Sequence, residues 1–240
     1  MSIIRFTKKN MLDQTRHRVN LVEILKDIYT DPGLRTVLGF KGGTAAMLFY
    51  DLPRLSVDLD FDLLDDEKKE QVFAGIRRIL EKRGKIDEAV EKRYTLLFLV
   101  SYEKGQRMIK LDISKRRNKA EFEPRVYLGV PMLVMKREDM LAGKLAALLT
   151  RRKFATRDVF DVWYFLKEKW EICGEVLEEQ TGMSVKKGIV EAVKRVLGID
   201  RRQLLHGWGE LLDDKQKAWV REKLIDETLF QLRLRQKFLS

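Results

Sequence analysis

Residues 55–63 alternate without a break. Leu55, Val57, Leu59, Phe61 and Leu63 fall on one side, and Ser56, Asp58, Asp60 and Asp62 on the other. Successive side chains of a β-strand point to opposite faces, so this stretch reads as a half-buried strand with an acidic face. A chain carrying such a strand must supply partners for its edges and an apolar layer for its inner face. Residues 107–114 repeat the pattern. Ile109, Leu111 and Ile113 face one way; Lys110, Asp112 and Ser114 face the other. Residues 94–102 read as a further strand, joined to 107–114 through a turn at Lys104-Gly105-Gln106 as a hairpin.

Around these strands the sequence alternates helix and strand. Residues 11–29 carry Leu12, Val19, Val22, Leu25 and Ile28 near helical spacing, and Asp31-Pro32-Gly33 ends that helix. Val37 to Phe40 is a short strand, Gly42-Gly43 a turn, and Thr44 to Tyr50 the start of a helix broken by Asp51-Leu52-Pro53. Residues 65–83 form an amphipathic, highly charged helix. Residues 121–135 are extended or irregular. The texture changes near residue 135, and helices follow at about 137–151, 156–169, 184–197 and 215–236. The expected fold is α+β: a small mixed sheet flanked by helices over 1–135, then an all-helical domain over 136–240.

Composition removes whole classes of chemistry. Cys173 is the only cysteine, so neither an internal disulfide nor a cysteine-based zinc site is available. His17 and His206 are the only histidines, which rules out a zinc site of several histidines. Chemistry on this chain falls to carboxylates, lysines and arginines. No apolar run approaches the roughly twenty residues of a membrane-spanning helix, and the first residues do not read as a signal peptide. The expected setting is reducing and cytoplasmic. The net charge of +11 and pI near 9.6 favour a polyphosphate partner such as nucleic acid, although the basic residues are spread along the chain.

Three features carry the chemistry. Lys41-Gly42-Gly43-Thr44 lies between a strand and a helix. Two readings stand for it: a tight turn only, or a cradle whose backbone N–H groups and helix start hold a phosphate. Asp58 and Asp60, two apart on an alternating strand, project from one face and repel unless a cation lies between them. Oxygen ligands from two or three carboxylates suit magnesium (or manganese), which keeps positions for water and substrate phosphate; the other reading is a solvated polar face, which Asp62 supports. Asp112 lies on the polar face of its own strand, where Asp is disfavoured. If the two strands are neighbours, the three carboxylates converge, and could hold two divalent ions about 4 Å apart for displacement at phosphorus.

Phe40-Lys41-Gly42-Gly43-Thr44 followed by Arg54-Leu55-Ser56-Val57-Asp58-Leu59-Asp60-Phe61 resembles the signature of the AbiEii-type nucleotidyltransferases, toxins of type IV toxin–antitoxin (abortive infection) systems within the polymerase-β-like superfamily. Glu138-Asp139-Met140-Leu141-Ala142-Gly143-Lys144 resembles the family's lysine helix, and Arg157-Asp158-Val159-Phe160-Asp161 its Arg-Asp-x-x-Asp motif. The resemblance runs from about residue 38 to 166, with the motifs in the family's order. Val57 departs from it, since the family often has an acidic residue there.

The resemblance implies Asp58, Asp60 and Asp112 as metal-binding, catalytic carboxylates. It implies Lys41, Gly42, Gly43, Thr44 and Ser56 on the nucleotide, with Lys144 and Asp158 facing it and Arg157 and Asp161 supporting. It also implies an NTP substrate, a tRNA 3′ end as acceptor and a cognate antitoxin. From the residues alone, Lys144 could equally snorkel to water, and Arg157 could simply pair with Asp161 four residues on. Lys115-Arg116-Arg117 and Arg151-Arg152-Lys153 are solvated surface or guides for an RNA backbone, and Trp163, Tyr164 and Phe165 read as helix core. A non-catalytic nucleotide- or RNA-binding protein on the same fold is the alternative. An aspartyl phosphatase is disfavoured because no Thr follows the Asp pair, and nothing favours a glycosyltransferase.

Overall fold

A computed structural model describes residues 13–104, 108–152, 155–209 and 211–239. The expected turn residues Gly105 and Gln106, the start of the first helix at 11–12 and Lys153 of the second basic run lie outside them. The fold is α+β, and its strands pair in both parallel and antiparallel fashion. The chain forms two compact units, Met1–Leu38 with Val57–Lys115, and Gly39–Ser56 with Arg116–Ser240.

The first unit holds α1 (Gln14–Thr30), β2 (Leu59–Leu63), α3 (Lys69–Glu81), β3 (Lys85–Glu91), β4 (Thr95–Ser101) and β5 (Ile109–Ser114). Its strands lie in the order β3-β4-β5-β2. β4 pairs antiparallel with both β3 and β5, whereas β2 runs parallel to β5. Parallel neighbours need a crossover, and the segment carrying α3, β3 and β4 supplies it. Leu59, Phe61, Leu96, Phe98, Leu111 and Ile113 form the buried face, as the alternation requires. Asp13 caps α1 by accepting from the Arg16 N–H.

The second unit holds β1 (Leu38–Lys41, which it shares at its first residue with the other unit), α2 (Gly42–Phe49), β6 (Phe122–Tyr127), β7 (Val130–Met135), α4 (Arg137–Thr150), α5 (Thr156–Lys167), α6 (Gly174–Thr181), α7 (Val185–Leu197), α8 (Asp214–Glu222) and α9 (Leu224–Phe238). β1 pairs parallel with β7, and β6 antiparallel with β7. Trp163, Tyr164 and Phe165 are buried in α5, as core residues should be. The texture change near 135 marks where strands give way to helices: β7 ends at Met135 and α4 begins at Arg137.

Several elements differ from expectation. β2 starts at Leu59 rather than at 55. The backbone before it is engaged elsewhere, since the Leu55 N–H donates to the Leu211 carbonyl (3.2 Å) and Gln216 Nε2 donates to the Pro53 carbonyl (2.7 Å). Residues 121–135, expected to be extended or irregular, are extended and pair with each other as a hairpin. Its turn is Leu128-Gly129, both with positive φ (48° and 79°), as a two-residue hairpin loop requires. β3 and α6 add a strand and a helix, and the expected helix over 215–236 is two helices meeting at Lys223. α2 begins at the diglycine itself, two residues before Thr44.

Candidate active site

In the first unit, Asp60 on β2 is the direct register partner of Asp112 on β5. The conditional expectation that the two strands are neighbours therefore holds. Equivalent positions in a parallel pair send their side chains to the same face. Leu59 and Leu111 beside them are fully buried, while Asp58 and Asp60 are partly exposed and the Asp112 side chain is 31% exposed. Asp58 stands one residue before the strand. Asp62, expected to be solvated on the same side, is buried (3% exposed). The Asp112 carboxylate accepts from the Thr95 hydroxyl and lies 3.6 Å from Lys110 Nζ. Among the described residues, no three His, Cys, Asp or Glu side chains are already gathered around one metal position. The donor set is nonetheless of the kind magnesium or manganese takes: carboxylate oxygens only, two of them in direct register.

In the second unit, the diglycine joins β1 to α2. Gly42 has φ of 79°, a left-handed conformation that disfavours any side chain. Gly43 is needed for space. A Cβ there would lie 2.7 Å from Arg54 Nη2 and 2.8 Å from Ser56 Oγ. The side chain of the N-cap residue Lys41 makes no capping bond to α2, and at the third residue of the helix the Thr44 hydroxyl donates to Ser56 Oγ (2.9 Å). Both Thr44 and Ser56 are buried, and Lys41 is half-buried at the N-cap.

Arg54 continues from this turn into a buried ion network. Its Nε and Nη2 donate to the two oxygens of Asp161 at 2.6 and 2.7 Å, a bidentate pair with both side chains almost wholly buried. Lys144 Nζ lies 2.8 Å from Asp161 and 3.3 Å from Asp158, and Arg151 donates to the other oxygen of Asp158. Arg54, Lys144 and Arg151 thus share the carboxylates of Asp161 and Asp158, and Arg54 brings this network close to the diglycine. Burial works to raise the Asp161 pKa, but Arg54 and Lys144 outweigh it and pull it down to about 2. Burial likewise works to lower the Lys144 pKa, and Asp161 and Asp158 more than offset it, so the ammonium is held above the usual lysine range. Lys144 therefore neither snorkels freely nor stands alone. Asp161 is paired with Arg54 and Lys144 rather than with Arg157, which is half-exposed at the start of α5.

Residues 23–235 match the sequence profile of the nucleotidyl transferase AbiEii toxin, type IV toxin–antitoxin system. The chain belongs to this AbiEii family. Among solved structures it is similar to a candidate nucleotidyltransferase from H. pylori (TM-score 0.64, 23% identity, covering 96% of this chain and 97% of that one). It is similarly close to JHP933 from Helicobacter pylori (TM-score 0.63, 23% identity, 95% of each chain). At that identity the likeness is one of fold. A search of curated proteins gave no match. As an AbiEii member the chain is a nucleotidyltransferase-type toxin of a type IV toxin–antitoxin system, which implies an antitoxin partner. No helix among the described residues is long and apolar enough to cross a membrane.

Two contributors escaped the sequence reading. Arg54 sits within the quoted Arg-Leu-Ser-Val-Asp stretch, yet its partner Asp161 is 107 residues away, beyond the reach of any local pattern. Thr95 opens a strand that reads as apolar, and only the register of β4 on β5 brings its hydroxyl to Asp112.

Proposed function

We propose that this AbiEii protein transfers a nucleoside monophosphate from an NTP to an acceptor hydroxyl on RNA, a tRNA 3′ end, in a magnesium- or manganese-dependent reaction. The observation that supports this most is the direct pairing of Asp60 with Asp112 on parallel strands, with Asp58 two residues before Asp60.

Asp58, Asp60 and Asp112 would hold the divalent ions. When bound, these ions neutralise charge developing on the attacking and leaving oxygens. Asp112 also accepts the proton of the acceptor hydroxyl as that oxygen attacks the α-phosphate in line and pyrophosphate leaves. Thr95 and Lys110 set the direction of the Asp112 carboxylate beforehand. Gly42, Gly43 and Thr44 present backbone N–H groups and the positive end of α2 to the triphosphate, with Lys41 and Ser56 at its margin. Lys144, Arg157 and Asp158 face the nucleotide. Asp161, fully buried with both oxygens engaged, acts by holding Lys144 and Arg54 in place. The basic residues Lys115, Arg116, Arg117, Arg151 and Arg152 supply the charge that an RNA backbone needs. A role as a non-catalytic RNA binder would leave the paired carboxylates without a task.

Incubation with tRNA, magnesium and each α-labelled NTP in turn tests the reading. Label is expected on the tRNA with at least one NTP and not with Asp60→Ala. Equal labelling by wild type and variant, or none by either, would refute it.

A further inference from the structure

His17 on α1 is completely buried and takes no part in the chemistry above. Its Nε2 lies 3.0 Å from the Val57 carbonyl oxygen and its Nδ1 3.1 Å from the Tyr102 hydroxyl, and its ring meets the Tyr102 ring edge-on at 5.6 Å. A carbonyl can only accept, so the proton must be on Nε2. In the neutral ring Nδ1 is then an acceptor and receives the Tyr102 hydroxyl. The phenol thus fixes the tautomer and the imidazole fixes the carbonyl.

That carbonyl belongs to the peptide joining Val57 to Asp58. It precedes the β2–β5 ladder, whose register begins at Leu59 with Leu111. The peptide that launches the first carboxylate is therefore held by a side chain 40 residues away in sequence. Turning this peptide plane would swing Asp58 relative to Asp60. An apolar residue would fill the same space without the desolvation that a buried imidazole incurs.

We propose that His17 is a positioning residue, whose Nε2–H holds the Val57–Asp58 peptide so that the Asp58 carboxylate is aimed beside that of Asp60. This rests on the metal-binding role proposed for those carboxylates. The competing view is a core histidine that contributes stability alone.

The two views separate on Mn²⁺ binding by the full chain without nucleotide, followed by the electron paramagnetic resonance of the free ion. The amide of His17→Gln reaches the Val57 carbonyl; that of His17→Asn reaches toward Tyr102 but falls short of Val57. The Asn variant is expected to bind Mn²⁺ about 10–100-fold more weakly, the scale of losing a partner that orients a metal ligand. The Gln variant should keep most of the affinity, and Tyr102→Phe should weaken binding to a lesser degree than Asn. In transfer assays the Asn variant should need more metal for half-maximal rate at nearly unchanged KM for NTP. A folded Asn variant with wild-type Mn²⁺ affinity would overturn the inference alone. Should neither His17 variant fold, unchanged Mn²⁺ affinity in Tyr102→Phe would overturn it equally. A wild-type protein that binds no Mn²⁺ would overturn the carboxylate assignment and this inference with it.

Discussion

Asp60 and Asp112 face each other across the parallel strands β2 and β5, residue against residue. Two like charges in that relation oppose the pairing of their own strands. Thr95 and Lys110 relieve the Asp112 side only in part, since the lysine stands 3.6 Å away and is itself partly exposed. A cation taken up by both carboxylates would turn this repulsion into cohesion.

The thermal stability of the protein should therefore respond to metal through this pair. Wild type and Asp60→Asn are each compared in EDTA and in excess metal, so that the metal response of each is read against its own metal-free state. Magnesium or manganese should raise the melting temperature of wild type and leave that of the variant nearly unchanged. Calorimetry of both proteins with and without metal checks this, and an identical metal response in the two would count against the pair as a binding site.

Gly43→Ala tests the close approach at the diglycine. The added methyl would press on Arg54 and Ser56, a crowding that costs about 1–3 kcal/mol. Nucleotide affinity should fall as well, because Ser56 Oγ, bonded to the Thr44 hydroxyl, and Arg54, paired with Asp161, would have to shift at the turn proposed to hold the triphosphate. Gly143→Ala is the control: it lies in the same unit, and a Cβ there meets nothing within 4 Å. Urea midpoints of the two variants should differ accordingly.

The buried pair of Arg54 with Asp161 should be costly to break on one side and cheap to replace as a whole. Arg54→Met is expected to lose about 3–5 kcal/mol, since it leaves a buried carboxylate with Lys144 alone. Adding Asp161→Leu should recover much of that loss. A double-mutant cycle in urea measures the coupling.

Acid stability follows from the same carboxylate. The folded-state pKa of Asp161 lies at about 2, below its ordinary value of 3.8. Its ionised form therefore contributes stability that is complete above about pH 4 and is lost as pH falls toward 2. Asp161→Asn should be less stable than wild type at neutral pH, with the difference shrinking between pH 4 and 2. A constant difference across that window would show that the charge of Asp161 is not what stabilises the fold.

Much of this arrangement can be read from local patterns. Strict alternation marks β2 and β5 with their apolar and polar faces, and helical spacing marks α1, α4, α5 and α7. The adjacency of β2 and β5 can be posed from sequence but not decided, because a parallel pairing across an intervening helix and two strands leaves no local trace. β3 is hidden by its own composition: Lys85, Asp87, Glu88 and Glu91 are poor strand formers, tolerated at a sheet margin where charge also blocks unwanted pairing. The hairpin of β6 and β7 is masked by Pro124 and Pro131 and by a turn whose first residue, Leu128, is not a usual turn former. The start of β2 is misread for a different reason. The alternation over 55–58 is real, but Leu55 and Pro53 give their backbone groups to the segment around Leu211 and Gln216. Arg54 and His17 are invisible for a shared reason: each matters through a partner far away in the chain.

The most direct measurement is the anomalous diffraction of manganese in crystals soaked with Mn²⁺ and a nonhydrolysable NTP. The account predicts manganese peaks bound by the carboxylates of Asp58, Asp60 and Asp112, with the triphosphate oxygens completing the coordination. Manganese bound elsewhere, with nucleotide present and these three side chains left unliganded, would contradict it.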